Sequence, residues 1–245
     1  MATAVVHYSA AAVSDRGRKR ASNEDAFGYS IEYGVYLVCD GMGGAAAGEI
    51  ASSLAVDEVM HRLTGRAPGM ALDEVIEEAV SAANRAIFSR SESNPRFSGM
   101  GTTLVAIVVD ERRVRVLNIG DSRCYRLRGQ HLEQITQDHS LVDEQVRLGR
   151  MSPAEALRSP LRSVITRALG TQSRVTPDIF DLEADPGDLF LLCSDGLTRE
   201  LPDEKIESLL NSGLAPKEIC ASLVSAANDA GGGDNITCLI LRAEG

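Results

Sequence analysis

Three apolar segments of this chain each run into an aspartate flanked by glycine. Val35–Cys39 leads into Asp40-Gly41, Val114–Ile119 into Gly120-Asp121, and Leu189–Cys193 into Ser194-Asp195-Gly196. A fourth aspartate, Asp234, follows Gly231-Gly232-Gly233 and opens the apolar run Ile236–Leu241. Glycine lets the backbone turn sharply and approach a ligand closely. Carboxylates emerging from apolar strands are costly unless paired or bound to a cation. An oxygen donor set without histidine or cysteine selects Mg²⁺, Mn²⁺ or Ca²⁺. Taken singly, an Asp-Gly after a strand is an ordinary turn, and four in one chain weaken that reading without removing it.

The segment Ser14–Ala26 adds to the pattern. Read plainly, it is a solvated basic stretch followed by an Asx-type turn. Read chemically, Glu24 and Asp25 supply two more carboxylates to the same cation site, and Arg20 supplies a planar guanidinium able to grip phosphate oxygens in pairs.

Rigid elements must hold these groups. The runs Val35–Cys39, Thr103–Val109, Val114–Ile119, Leu189–Cys193 and Ile236–Leu241 have the apolar, β-branched character of strands, with Glu111-Arg112-Arg113 as a tight hairpin connection. Helical spacing covers Ala46–Leu63 and Leu72–Ser91, separated by Thr64–Gly69, and then Pro202–Leu210 and Pro216–Ala230. Strands cluster with helix pairs between them rather than alternating with helices. The expectation is therefore an α+β layered fold, not a doubly wound parallel sheet. The whole of 1–245 reads as one domain. The polar stretch Asp138–Gly170, broken by Gly149, Pro153 and Pro160, reads as an excursion over the surface, a flap.

Composition narrows the function class. The formal net charge of −10 argues against nucleic acid or an anionic membrane as partner, and 4% aromatic residues without Trp leave little to stack on bases. The five cysteines form no CxxC pair and read as buried thiols of a reduced compartment. The four histidines are not paired at ligand spacing, which disfavours zinc. Met1–Ala12 lacks a basic leader region, and no apolar run approaches membrane-spanning length, so a cytoplasmic protein is expected.

In chain order stand DxGxxRxxNEDA (Asp15–Ala26), VCDGMGG, GTT, GDSR, ITRALG, SDGL and GGDNIT, ending at Thr237. This series resembles the protein phosphatase 2C family of metal-dependent protein phosphatases, and especially its compact bacterial members. Seven motifs in one order are far more specific than any one of them.

The resemblance implies a four-layer α-β-β-α sandwich with two central antiparallel sheets and the metals in a cleft at one edge. It implies that Asp40 bridges two catalytic Mn²⁺ or Mg²⁺ ions, that Asp195 and Asp234 hold the first, and that the Gly41 carbonyl holds the second with Glu24 reaching it partly through water. Asp25 would orient the attacking water, Arg20 would capture the substrate phosphate, and Asp121 with Asp195 would hold a third, weaker ion. The implied reaction is hydrolysis of phosphoserine or phosphothreonine by direct attack of a metal-bridging hydroxide, without a phospho-enzyme. Phosphorylated proteins and a cognate serine/threonine kinase are the implied partners, and a monomer is expected.

Some positions depart from the family pattern. Ala45 stands where many bacterial relatives have His, Ser159-Pro160 where the flap often reads His-Pro, and Met42 where animal relatives place a His proposed as general acid. No proton donor for the leaving alkoxide follows from the sequence. His139 is a weaker candidate that also reads as a structural loop residue, and Thr102 and Thr103 read as packing beneath the site. Two competing readings are a pseudophosphatase that binds a partner, disfavoured by the presence of Asp40, Asp195 and Asp234, and a hydrolase of small phosphoesters.

Overall fold

A computed structural model describes residues 7–67 and 69–244, apart from the side chain of residue 45. Residues 1–6 of the segment read above as lacking a leader, and residue 68 of the inter-helix stretch, lie outside the described residues.

The chain runs β1 (His7–Asp15), β2 (Asp25–Ser30), β3 (Val35–Met42), α1 (Ala45–Thr64), α2 (Leu72–Ser93), a 3₁₀ turn (Pro95–Phe97) and β4 (Gly101–Thr102). It continues through β5 (Leu104–Asp110), β6 (Arg113–Ile119), β7 (Arg123–Arg128), β8 (His131–Gln134), α3 (Leu141–Arg147) and α4 (Pro153–Arg158). The last elements are β9 (Asp178–Glu183), β10 (Leu189–Cys193), α5 (Asp195–Thr198), α6 (Asp203–Leu210), α7 (Pro216–Ala230) and β11 (Ile236–Glu244).

The strands form two sheets, ordered β1-β11-β10-β7-β8 and β2-β3-β5-β6-β9, with β4 added to β3; all the pairings are antiparallel. Why the central strands read as unbroken apolar runs follows from their two buried faces. In β3, Val35, Leu37 and Cys39 pack under α1 and α2, while Tyr36 and Val38 meet the other sheet. In β10, Leu189, Leu191 and Cys193 pack under α6 and α7, while Phe190 and Leu192 point to the gap between sheets. The result is the four-layer α-β-β-α sandwich expected. All five cysteines are buried and free, and among the described residues no helix is long and apolar enough to cross a membrane.

The strands that periodicity missed are β1, β2, β4, β7, β8 and β9. Four of them, β1, β2, β8 and β9, are at most partly buried and lie at sheet edges, where one face can stay polar. β2 also contains Gly28, where a Cβ would come within 2.8 Å of Val56 Cγ1, so the glycine lets α1 pack down on the strand. In the β5–β6 hairpin the connection is Glu111-Arg112 alone. Arg113 already pairs with Asp110, and Glu111 takes the positive φ of 56° that so short a turn requires.

Candidate active site

The two-residue alternation of strands decides where the acids point. Cys39 faces the helices, so Asp40 turns to the other sheet, and the β2–β3 register sets Asp25 directly opposite it. On the facing sheet the same alternation turns Ser194 and Thr237 toward the gap. Ser194 Oγ donates to Asp25 Oδ2 at 2.8 Å and Thr237 Oγ1 donates to it at 2.6 Å, tying the sheets together at one end of the sandwich. Asp25 Oδ1 is buried and has no partner among the described residues.

Asp40 is held by its backbone. Its N–H donates to Thr103 Oγ1 at 2.9 Å, and its carbonyl accepts from the Thr103 N–H and from Thr102 Oγ1, each at 2.9 Å. The two threonines therefore pack beneath the site as expected. The ordinary-turn reading of Asp-Gly does not hold at two of these acids, because Asp40-Gly41 lies within β3 and Asp195-Gly196 opens the short helix α5. In both places hydrogen-bonded structure continues through the acid and fixes its backbone more firmly than a turn would.

Asp195 and Asp234 meet two guanidinium groups. Arg199, one helical turn beyond Asp195, bonds Asp195 and also reaches Asp234 Oδ2 at 3.3 Å. Arg20 bonds Asp234 Oδ2 at 2.8 Å while staying half exposed. Asp121, just past the end of β6, is buried, and its Oδ1 has no hydrogen-bond partner among the described residues.

The charges of these acids act on one another. Burial, then the charges of Asp25, Asp195, Asp121 and Asp234, hold Asp40 well above the usual carboxylate range. Burial raises Asp25 to about 7 against the lowering effect of its two hydroxyl donors. It raises Asp121 to about 8, with Asp195 adding to the shift. Asp195 rises to about 6 by burial, opposed by Arg199. Such a concentration of buried, mutually repelling acids is unfavourable unless positive charge is brought to it.

Glu24 approaches from the segment before β2. Its N–H donates to Asn235 Oδ1 at 2.9 Å, and its carbonyl accepts from the Gly41 N–H at 3.1 Å. Its carboxylate lies against Gly48 of α1, where a Cβ would come within 2.0 Å of Glu24 Oε2. At Gly41 a Cβ would meet the Gly48 carbonyl at 2.1 Å. Gly48 escaped the reading of the sequence, although a glycine inside an alanine-rich helix is the kind of local cost that signals a close approach. Arg199, Ser194 and Asn235 escaped it too. Of these only Arg199 left a trace, its four-residue spacing from Asp195.

The fit to divalent cations can be judged from these groups. The donors are all oxygen, the acids converge, and two buried carboxylate oxygens stand without partners. Among the described residues no three acidic, histidine or cysteine side chains already close on one point. Arg20 and Arg199 draw Asp234 and Asp195 toward themselves, and the expected set includes the Gly41 backbone carbonyl as well as side chains. The residues present fit hard cations.

A cleft of about 410 Å³ leads from Asp121, Asp195 and Arg199 to the inner wall of α3 and α4, where Val142, Val146 and Leu157 line it. The excursion expected over Asp138–Gly170 is anchored more tightly than its polarity suggested. Ser140 bridges Ile165, Thr102 bridges Leu169, and Ala168 and Leu169 are buried, so the exposed part is the stretch between Ser140 and Ile165. His139 is buried with both ring nitrogens engaged, which removes it as a proton donor to substrate.

The family model for protein phosphatase 2C matches residues 15–229. The chain is 37% identical over 237 residues to the serine/threonine phosphatase stp of Listeria monocytogenes, a match covering 94% of each chain. The crystal structure of the Mycobacterium tuberculosis serine/threonine phosphatase PstP superposes with a TM-score of 0.91 at 41% identity, covering 98% of this chain and 100% of that one. The catalytic domain of the serine threonine protein phosphatase PstP in complex with two manganese ions superposes at 0.89 and 38% identity, covering 99% of this chain and all of the other.

Proposed function

The chain belongs to the protein phosphatase 2C family, and we propose that its Asp40-centred acid cluster binds two Mn²⁺ or Mg²⁺ ions, with a third held more weakly, for the hydrolysis of phosphoserine and phosphothreonine in proteins. It is a protein serine/threonine phosphatase. The observation that carries the site assignment is the convergence of Asp25, Asp40, Asp121 and Asp195 beside Asp234, where burial and the charges of neighbouring aspartates raise the affinity of the first four for positive charge.

In this reading Asp40 would contribute to both ions, Asp195 and Asp234 would hold the first, and the Gly41 carbonyl with Glu24 would hold the second. Asp121 and Asp195 would hold the third. When bound, the ions would supply an activated water as nucleophile and neutralise charge on the phosphoryl group. The chain's own residues do the rest. Ser194 and Thr237 occupy Asp25 Oδ2, which leaves Oδ1 to accept a hydrogen bond from the attacking water and orient it. Arg20, half exposed beside Asp234, is placed to leave that carboxylate for the phosphate oxygens of a substrate. The cleft between the acids and α3–α4 offers apolar contacts for residues flanking the phosphate.

The substrates are phosphorylated proteins, and the partner implied by that activity is a serine/threonine kinase. Buried free thiols suit a reducing, cytoplasmic setting, and a monomer suffices because one chain supplies every acid of the cluster. The decisive experiment is turnover of a phosphothreonine peptide with Mn²⁺ and with chelator. Metal-dependent release of phosphate supports the reading. Turnover of nucleotides or p-nitrophenyl phosphate without any of the peptide would point to a small-phosphoester hydrolase.

A further inference from the structure

We propose that His139 is a positioning residue for Asp121, gripping the Gly120-Asp121 turn through its Nδ1 in a tautomer set by Asp178, and that it thereby tunes the weaker cation position. The proposal rests on the assignment of Asp121 to that position.

His139 catches both backbone groups of one residue. Its main-chain N–H donates to the Gly120 carbonyl at 2.9 Å, and its ring Nδ1 accepts from the Gly120 N–H at 3.0 Å. An accepting Nδ1 places the ring proton on Nε2, which donates to Asp178 Oδ2 at 3.0 Å. The other oxygen of Asp178 accepts from Arg167 Nη1 at 2.5 Å, so the carboxylate that selects the tautomer is itself held. The imidazole is 3% exposed and has no nitrogen left for substrate or water.

The turn that it grips has little freedom. Gly120 adopts a φ of +106°, and a Cβ there would meet Thr103 Cγ2 at 2.6 Å, against the threonine that also holds the Asp40 backbone. On the other side of Asp121, Arg123 forks onto Asp138, with Nε to Oδ1 at 2.9 Å and Nη2 to Oδ2 at 2.8 Å. Asp121 is thus bracketed by Gly120 and Arg123, and these are tied to the consecutive residues His139 and Asp138. No hydrogen bond among the described residues reaches Asp121 Oδ1, so the place of this oxygen depends on the bracket around its backbone.

The same residues root the flap. The His139 carbonyl accepts from the Thr166 N–H at 2.8 Å, and the flap departs from Ser140 and returns through Ile165, with the Leu141 N–H donating to the Val164 carbonyl at 2.8 Å. A displacement of the flap therefore pulls on the residue that sets Asp121.

Two substitutions separate the halves of the grip. His139→Asn keeps an acceptor near the place of Nδ1 and loses the donor to Asp178. His139→Gln keeps a donor near the place of Nε2 and loses the acceptor for Gly120. Mn²⁺ titration by calorimetry on these variants and on Asp121→Ala reads the tight and weak steps, with thermal denaturation as a check on the fold. The expected result is loss of the weak step in Asp121→Ala, weakening by roughly 10- to 100-fold in His139→Gln, the range for removing a group that orients a metal ligand, and near wild-type behaviour in His139→Asn, with the tight step kept throughout. A weak step equally affected, or equally untouched, in the two His139 variants overturns the proposal while Asp121→Ala upholds the assignment. A weak step that survives Asp121→Ala overturns both. Should a variant fail to fold, nitrogen NMR of the wild-type ring decides: a proton on Nε2 supports the proposal, and a proton on Nδ1 overturns it.

Discussion

Asp25 and Asp40 face one another directly across the β2–β3 pair, at the end of the strands where the two sheets meet. Like charges opposed in an antiparallel pair are destabilising, and burial at this place adds to the cost. The hydroxyls of Ser194 and Thr237 offset part of it. A divalent cation would offset the rest.

Mn²⁺ is therefore expected to raise the melting temperature of chelator-treated protein, and to do so more at pH 8 than at pH 6. Asp25, Asp195 and Asp121 are raised to about 7, 6 and 8 in the fold, above the unfolded carboxylate value of about 4. Without metal the folded state then holds more protons than the unfolded one, so its stability falls as pH rises through that window. Bound Mn²⁺ would compete with protons for the same oxygens. A melting shift that is independent of pH, measured by scanning calorimetry, would contradict this.

Asp234→Asn and Arg20→Ala should fail differently. Loss of the Asp234 charge removes an expected ligand of the first ion, so kcat should collapse and metal affinity fall with the fold intact. Arg20→Ala should mainly raise KM, by about ten- to a hundredfold for a charge-assisted contact worth ~1.5–3 kcal/mol. Calorimetric metal titration beside steady-state kinetics on one phosphopeptide separates them. Normal metal binding and near wild-type kcat in Asp234→Asn would remove Asp234 from the centre.

Gly48→Ala should cost activity out of proportion to stability. A Cβ would sit 2.0 Å from Glu24 Oε2 and displace that carboxylate, and it would press on Gly41 at 2.9 Å. In the helix interior the same change gains about 0.5–1 kcal/mol of propensity, which offsets part of the crowding. The expected outcome is a melting temperature within a few degrees of wild type and kcat/KM at saturating Mn²⁺ lower by about tenfold or more, the scale of a lost metal-orienting group. Unchanged turnover would show that Glu24 has no part in the site.

Leu157→Asp combined with Val146→Asp should depress turnover of phosphopeptides while leaving p-nitrophenyl phosphate close to wild type. Both residues line the wall of the cleft opposite the acids; Leu157 is 75% exposed and Val146, half-buried, packs against none of the core clusters, so neither supports the core. Paired assays on the two substrates check this. Equal losses on both would place the flap in the chemistry and not in substrate choice.

Much of this molecule was legible in the order of its residues. The apolar runs of β3, β5, β6, β10 and β11 announced strands buried on both faces, α7 matched its helical pattern residue for residue, and the motif series pointed to the family. Those signals are local, because strand alternation, helix periodicity and motif spacing are properties of neighbours along the chain.

What tertiary structure alone decided is which acids meet and what surrounds them. Asp25 lies 15 residues before Asp40 in the sequence, and only the β2–β3 register makes them direct neighbours. The hydroxyls that hold Asp25, Ser194 and Thr237, come from the opposite sheet, 169 and 212 residues further along. Gly48 has no chemistry of its own and matters because Glu24 folds against it. His139 read in sequence as either a proton donor or a loop residue. Burial and the partners on its two ring nitrogens exclude the first, because a ring engaged by Gly120 and Asp178 has no proton to offer a substrate. Electrostatic and hydrogen-bond partners act through space, so a group's charge state and role are settled only when packing brings distant segments within a few ångströms.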